Sequence, residues 1–286
     1  MTSIESYLKQ NFKFEDLISK NCSNYDDIKN YYENAEKDAI YFYNQIKFYL
    51  NKNMKILEVG GGIHLLTNYL KQSYDVTSVE PGNYSDGIAS NVDLLRNNIL
   101  KINNQKIHTT NLENFKTNEK FDFIFSMNVL EHTNNIHLHI NYCKRLLKNK
   151  NSILYIECPN YSFPYEPHFC EFFIPFFPKF TFNNLKKKKL IKKFGEKKYL
   201  NILNSLNFNC NTKQIKRINL IKINNPIKDI FNRIEKDSFF KKRILSNLII
   251  RFSYKMILIF KLKNLLKKIF PSALYPYLIL KIKKDV

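Results

Sequence analysis

Residues 54–64 read MKILEVGGGIH, and the reading of this stretch decides the fold. An apolar run, Met54–Val59, stops at three consecutive glycines, half of the six in the chain. Glycine weakens a strand, so three at its end predict a sharp turn that needs positive φ or close approach of a ligand. A helix beginning after such a turn would aim its amide groups at that ligand. Outward from here the pattern repeats. Tyr74–Val79 is a second short apolar run, closing in Glu80, and Lys106–Thr110, Phe121–Ser126 and Ser152–Glu157 are three more. Helical spacing fills the gaps at His64–Lys71, Ala89–Ile102 and Ile136–Lys148. Short apolar strands alternating with helices predict an α/β fold, a parallel sheet covered on both faces.

Glu80 stands twenty residues beyond Gly60. An acidic side chain at the end of the second strand can take both hydroxyls of a ribose, a spacing shared by nucleotide-binding sheets. A tight strand–helix turn with no ligand is the alternative, and the pairing of Gly60, Gly61 and Gly62 with Glu80 argues against it. The nucleotide is not a dinucleotide or a triphosphate by this pattern. The third glycine of a GxGxxG fingerprint is missing, and no GK[ST] follows. Glu58, just before the turn, is a poor neighbour for a pyrophosphate and a good one for a cationic cofactor. S-adenosylmethionine has the ribose, the adenine and the positive sulfonium.

At this point the sequence resembles the class I S-adenosylmethionine-dependent methyltransferases, over about residues 30–160. Glu58-Val-Gly60-Gly61-Gly62 is similar to their first motif, and Glu80 to the acidic end of their second strand. Asn111-Leu112-Glu113 stands where the family usually has Asp-Ala-Glu against the adenine. Phe121–Ser126 followed by Asn128-Val-Leu-Glu131-His132 resembles the branch that contains the ubiquinone-type O-methyltransferases. The resemblance implies a Rossmann-like sheet of seven strands with helices on both faces, mostly parallel, its last strand (277–283) antiparallel to its neighbours. It also implies that Glu58, Gly60, Gly61, Gly62, Glu80, Asn111, Leu112 and Asn128 hold S-adenosylmethionine. Two departures stand out. His64 replaces a frequent glycine and adds bulk near the methionine end. Asn111 replaces an aspartate, so the adenine amino group would meet a neutral acceptor.

Methyl transfer is an in-line displacement from an already activated sulfur, so the protein must mainly align the partners. A base is needed only where the acceptor holds its proton tightly. Candidates lie just past the strands: His132, with Glu131 beside it, and His168 with Glu166 in the stretch 159–182, which packs five prolines and eight phenylalanines. The bland alternatives are a helix-start role for Glu131 and His132 and a backbone-satisfied buried His168. His137 and His139 are two apart and face different ways on a helix, so no metal is expected. Asn160-Tyr161 invites comparison with the NPPY motif of amino-methylating nucleic-acid enzymes. It fails in order, Cys-Pro-Asn-Tyr, and in following the fifth strand. Five cysteines with no CxxC predict reduced thiols and a cytoplasmic protein. The N-terminus shows no secretory signal, and Ile244–Phe260, with Arg251 and Lys255 in it, is too charged and short to be expected to span a membrane.

The expected organisation is a helical lead-in over 1–50, with spacing at Tyr31, Ala35, Ile40 and Tyr43, and a cofactor-binding core over 51–160. A lid or substrate insertion over 161–198 follows, then the end of the core over 199–286. That last part includes a strand near 209–215, basic amphipathic helices at about 226–270, and an edge or terminal strand at 277–283. The net charge of +21 is uneven. Residues 1–180 carry 19 basic and 20 acidic side chains, and residues 181–286 carry 27 and 5. The basic third predicts a peripheral contact with an anionic membrane through 226–270, where an apolar stripe from Leu245 to Ile269 runs beside Lys and Arg. A solvated subdomain helix is the alternative. Only six basic residues are Arg, and no single-strand stacking platform is visible, which argues against nucleic acid. The expected function is methyl transfer, to oxygen in preference, onto a small molecule or one linked to a lipid or sugar; an RNA methyltransferase, or a non-catalytic membrane-associated protein that retains the fold, is the alternative.

Overall fold

A computed structural model of the chain describes residues 2–82, 89–101, 106–217, 222–224, 241, 245, 248–259, 261–262, 265 and 275–284. Nine strands are found among them: β1 (Lys55–Val59), β2 (Asp75–Val79), β3 (Lys106–His108), β4 (Phe123–Met127), β5 (Ile153–Pro159), β6 (Tyr165–Glu166), β7 (Glu171–Phe172), β8 (Lys222–Asn224) and β9 (Tyr277–Lys283). The main sheet runs in the order β3-β2-β1-β4-β5-β9-β8, and β6 pairs only with β7. The chain divides into two compact units, one of residues 1–129, 138–155 and 282–286, the other of residues 130–137 and 156–281.

The first unit holds β1 to β4. Pairing is parallel and in register, with Ile56 opposite both Val76 and Phe123. Ile56, Leu57, Val76, Val79, Phe123, Ile124 and Phe125 are all buried, the continuous apolar pattern of a sheet covered on both faces. Because β1 lies between β2 and β4, the order reverses there, and a crevice at the C-terminal ends of β1 and β4 is where open α/β sheets take ligands. The lead-in forms helices Ile4–Asn11, Phe14–Leu17 and Tyr25–Ile46. Ser3 caps the first by accepting from the Ser6 amide at 3.2 Å. Tyr7 and Tyr43 pack on Tyr69 of the helix Leu65–Leu70, at 5.6 and 4.8 Å between ring centres. The buried stripe of the long helix is Ile28, Tyr32, Ala39 and Ile46, so the expected phase at Tyr31 is off by one residue. Tyr32 sets it: its hydroxyl donates to the Phe12 carbonyl and its ring lies 5.5 Å from Phe14.

The second unit is built on an aromatic core. Phe169, Phe182 and Tyr199 are fully buried, Phe169 lies 5.0 Å from Phe182, and the Tyr199 hydroxyl donates to the Phe182 carbonyl at 2.7 Å. The proline-rich stretch is therefore ordered, with the β6–β7 ladder and the helices Lys187–Phe194 and Glu196–Ser205 following it. Asn160 is a tether, donating to the Tyr275 carbonyl at 2.6 Å and accepting from Thr212 Oγ1 at 3.2 Å. The expected strand near 209–215 is instead a turn and the helix Thr212–Lys216, which Asn211 caps by accepting from the Gln214 amide. The strand is β8, which pairs antiparallel with β9. β9 is interior, not an edge: Leu278, Ile279, Leu280 and Ile282 are all buried. Cys158 and Cys210 lie 3.3 Å apart as free buried thiols, and burial pushes the Cys158 thiol well up. Of the expected helices at 226–270, Leu248–Ile259 is described, and most of the rest lies outside the described residues.

Candidate active site

Each glycine after β1 answers a different constraint. Gly60 has φ +83°, and a Cβ there would come within 2.1 Å of Val129 Cγ2, so the end of β4 closes on this turn. A Cβ on Gly61 would meet His64 Nδ1 at 2.4 Å and Ser78 Oγ at 2.5 Å. Gly62 has φ +55°, and among the described residues nothing lies within 4 Å of where a Cβ would stand. Gly61 is thus glycine because His64 fills the space below it, and Gly62 borders open space. His64 itself has φ +62° and is buried, its Nδ1 3.2 Å from Ser78 Oγ and 3.4 Å from Thr67 Oγ1. Burial first, then Arg96 and Lys71, hold its pKa down to about 3, so the ring is neutral. The bulk expected at the methionine end is packed beneath the turn.

Two carboxylates face the turn from the strands. Glu80 Oε2 accepts from the Gly62 amide at 3.0 Å and Oε1 from the Gly82 amide at 3.3 Å. A carboxylate has about four acceptor sites in all, so a carboxylate so placed is of the type that takes ribose hydroxyls. Glu58 is buried, and its Oε2 accepts from Thr67 Oγ1 and, at 3.3 Å, from Ser78 Oγ. Burial lifts its pKa to about 7 against the pull of those two hydroxyls, and Glu80 adds to the rise. A cation alongside would reverse that shift. The open side of Gly62, the braced Glu80 and the desolvated Glu58 fit S-adenosylmethionine. Leu112 is buried and Asn111 exposed at the start of the turn Leu112–Asn114, and Asn128 is exposed with φ +55° after β4. Thr67, Ser78 and Arg96, whose guanidinium would meet a Cβ on Gly82 at 2.2 Å, escaped the sequence reading. No motif marks them; only the packing does.

The second unit brings His132, His168 and Glu166 together. His168 Nδ1 lies 2.6 Å from Glu166 Oε1, and Glu166, fully buried, also accepts from the Phe169 amide at 2.5 Å and the Tyr161 hydroxyl at 3.2 Å. The rings of His132 and His168 meet edge to face at 5.2 Å. His132 Nδ1 faces the Ser205 carbonyl at 3.3 Å, and burial, then His168, hold its pKa down to about 4. The turn Leu130–His132 is pinned by the Asn207 amide, which donates to the Glu131 carbonyl at 2.6 Å, and by Asn207 Nδ2 on the Thr133 carbonyl at 2.7 Å. Glu131 is fully buried, and burial lifts its pKa to about 7. No spacing rule joins Glu131, His132 and His168, yet each offers a ligand atom within 4.8 Å of the other two.

The glycine turn after β1, the carboxylate that follows β2 and the parallel sheet around them are features of an α/β methyltransferase fold. A family model described as a methyltransferase domain matches residues 31–212, and the chain belongs to that family. The matched domain has the fold of the class I S-adenosylmethionine-dependent methyltransferases. An uncharacterized protein of Mycobacterium tuberculosis is 36% identical over 116 residues, 40% of this chain and 39% of the relative, so the match spans about two fifths of that relative's length. Among solved structures, the plantazolicin methyltransferase BpumL in complex with SAH aligns over 99% of both chains at 14% identity and TM-score 0.45. Phosphoethanolamine N-methyltransferase 2 of Haemonchus contortus aligns over 83% of this chain and 50% of its own, at 13% identity and TM-score 0.44.

Proposed function

We propose that the chain methylates a hydroxyl oxygen of a small molecule, or of an acceptor linked to a lipid or sugar. S-adenosylmethionine, when bound, supplies a methyl group activated by its sulfonium charge. Glu80 and the Gly60–Gly62 turn, with Asn111, Leu112 and Asn128, hold it, and Glu58 offers negative charge to a cationic ligand. His132, His168 and Glu166 are the acceptor-side residues. The observation that carries this reading is the bond from His168 Nδ1 to Glu166, itself fixed by Tyr161 and the Phe169 amide. It fixes one tautomer of the imidazole, Nδ1 donating to Glu166 and Nε2 basic, the state in which a histidine can take a proton from an O–H. Fixing the acceptor hydroxyl in place supplies much of what this reaction needs from the protein.

The test is methyl-label transfer from S-adenosylmethionine into a bacterial lysate split into organic-extractable, small-solute, RNA and protein fractions. Label in the first two, on oxygen by mass spectrometry and reduced in His168→Ala and Glu166→Gln, is the expected result. Label confined to RNA, or carried on nitrogen, overturns it.

A second part of the reading concerns where the acceptor is met. Phe176 and Phe177 are 94% and 61% exposed, and Phe180 and Leu185 are also exposed, beside Lys179 and Lys186–Lys189. The helix Leu248–Ile259 likewise exposes Phe252 and Ile259 next to Arg251 and Lys255. Apolar side chains among lysines support peripheral contact with an anionic membrane.

A further inference from the structure

We propose that Glu131, His132 and His168 form a binding site for a divalent first-row metal ion, with zinc the best fit. The inference deepens the acceptor side of the reading above, since with the ion bound His168 Nε2 would be a ligand and the acceptor oxygen would meet the ion in place of the imidazole; the ion's binding itself does not depend on that reading.

Three observations point to a cation. Glu131 is 0% exposed, and among the described residues neither of its carboxylate oxygens has a hydrogen-bond partner. A buried carboxylate left this way is costly to ionise unless something of opposite charge meets it. The groups that act on Glu131 are His168, Glu166 and Glu157, two of them also carboxylates, so the cluster is rich in negative charge.

The donor atoms already converge. Glu131, His132 and His168 each place a ligand atom within 4.8 Å of the other two, and Glu131 Oε1 is 4.0 Å from His132 Nε2. Ligands at about 2.0–2.1 Å from a tetrahedral zinc stand roughly 3.4 Å apart, so side-chain rotations of about an ångström would close the site.

Both imidazoles are oriented as metal ligands are. The Ser205 carbonyl can only accept, so His132 Nδ1 carries the hydrogen and Nε2 the lone pair. Glu166 does the same for His168. A second hydrogen bond from each ring to a carbonyl or carboxylate is the arrangement that fixes tautomer and direction in histidine metal sites. Two imidazoles and one carboxylate suit zinc, iron(II) or cobalt(II), and three protein ligands leave a position for an oxygen from solvent or acceptor.

The test uses the full chain, stripped with a chelator and titrated with cobalt(II), whose visible absorption reports low-coordinate nitrogen and oxygen ligation. One equivalent is expected to bind with intense bands, and zinc to displace it. Glu131→Gln and His168→Ala should abolish the bands. Glu166→Gln, which loosens an outer partner, should weaken binding about 10- to 100-fold. S-adenosylmethionine binding, read by fluorescence, shows that each variant is folded. Absence of a one-equivalent cobalt spectrum in the unsubstituted chain, or an unchanged spectrum in folded Glu131→Gln, overturns the proposal. The titration contains no acceptor, so its failure leaves the methyl-transfer reading standing.

Discussion

Glu58 is where folding and cofactor chemistry oppose each other. Burial holds its pKa at about 7 against an ordinary 4.5, so the folded apoprotein prefers the neutral acid. The sign follows from linkage: this group's share of stability is complete below about 4.5 and is lost as the pH rises through about 7. A cationic cofactor has the opposite preference, because it gains from the carboxylate. Affinity for S-adenosylmethionine should therefore increase between pH 5.5 and 8.5, while apoprotein Tm falls over the same interval for this group. Glu58→Gln should raise the apoprotein's Tm at pH 8 and flatten the pH dependence of cofactor affinity. Calorimetric titration beside thermal melts checks both, and affinity that ignores pH in the unsubstituted chain refutes the assignment. The glycines offer a second contrast. Gly62→Ala meets only the strain of φ +55°, about 1–2 kcal/mol. Gly60→Ala adds a collision with Val129 to φ +83° and should cost about 1–3 kcal/mol more. Denaturant midpoints of the two variants should rank in that order.

Elements were legible wherever one physical signal dominated. β1, β2 and β4 are apolar runs because both faces of a parallel sheet are covered, and Glu80 directly follows β2, the position that the glycine–acid spacing predicts. The signal failed where tertiary partners choose the answer. The phase of Tyr25–Ile46 is set by the Phe12 carbonyl, which no periodicity contains. Tyr277–Lys283 looks like an edge because Lys281 and Lys283 alternate with apolar residues, yet it is interior. His132 and His168 were found as polar residues past strands, but their meeting with a buried Glu131 depends on a turn pinned by Asn207, seventy-odd positions away in sequence. The eight phenylalanines of 159–182 hid a core behind irregular spacing. Phe182 shows what they do: fully buried, it lies 5.0 Å from Phe169 and 6.0 Å from Phe208. Phe182→Ala should lower stability by about 3–5 kcal/mol, and Phe182→Leu by clearly less. Urea unfolding followed by near-ultraviolet dichroism decides; a loss under 1 kcal/mol would mean these rings do not pack as a core.

At the scale of the whole chain the uneven charge acquires a surface to act through. Residues 181–286 carry 27 basic side chains against 5 acidic, and no helix among the described residues is long and apolar enough to cross a membrane. A basic surface alone attracts any polyanion, so charge does not select lipid over RNA. Exposed apolar side chains do select. Phe176 and Phe177 gain nothing from a phosphate backbone by burial, whereas an acyl boundary removes them from water at about 25 cal/mol per Å². The chain should therefore float with vesicles of phosphatidylglycerol and not with phosphatidylcholine alone at low salt. Raising salt to about 0.5 M, where screening reaches only a few ångströms, should weaken but not abolish that binding, because the apolar part persists. Phe176→Ser with Phe177→Ser should leave the residual wholly salt-sensitive. If the double variant floats as well as the unsubstituted chain at high salt, these rings are not the contact. If binding to an unstructured RNA survives where vesicle binding does not, the basic third serves a nucleic acid instead.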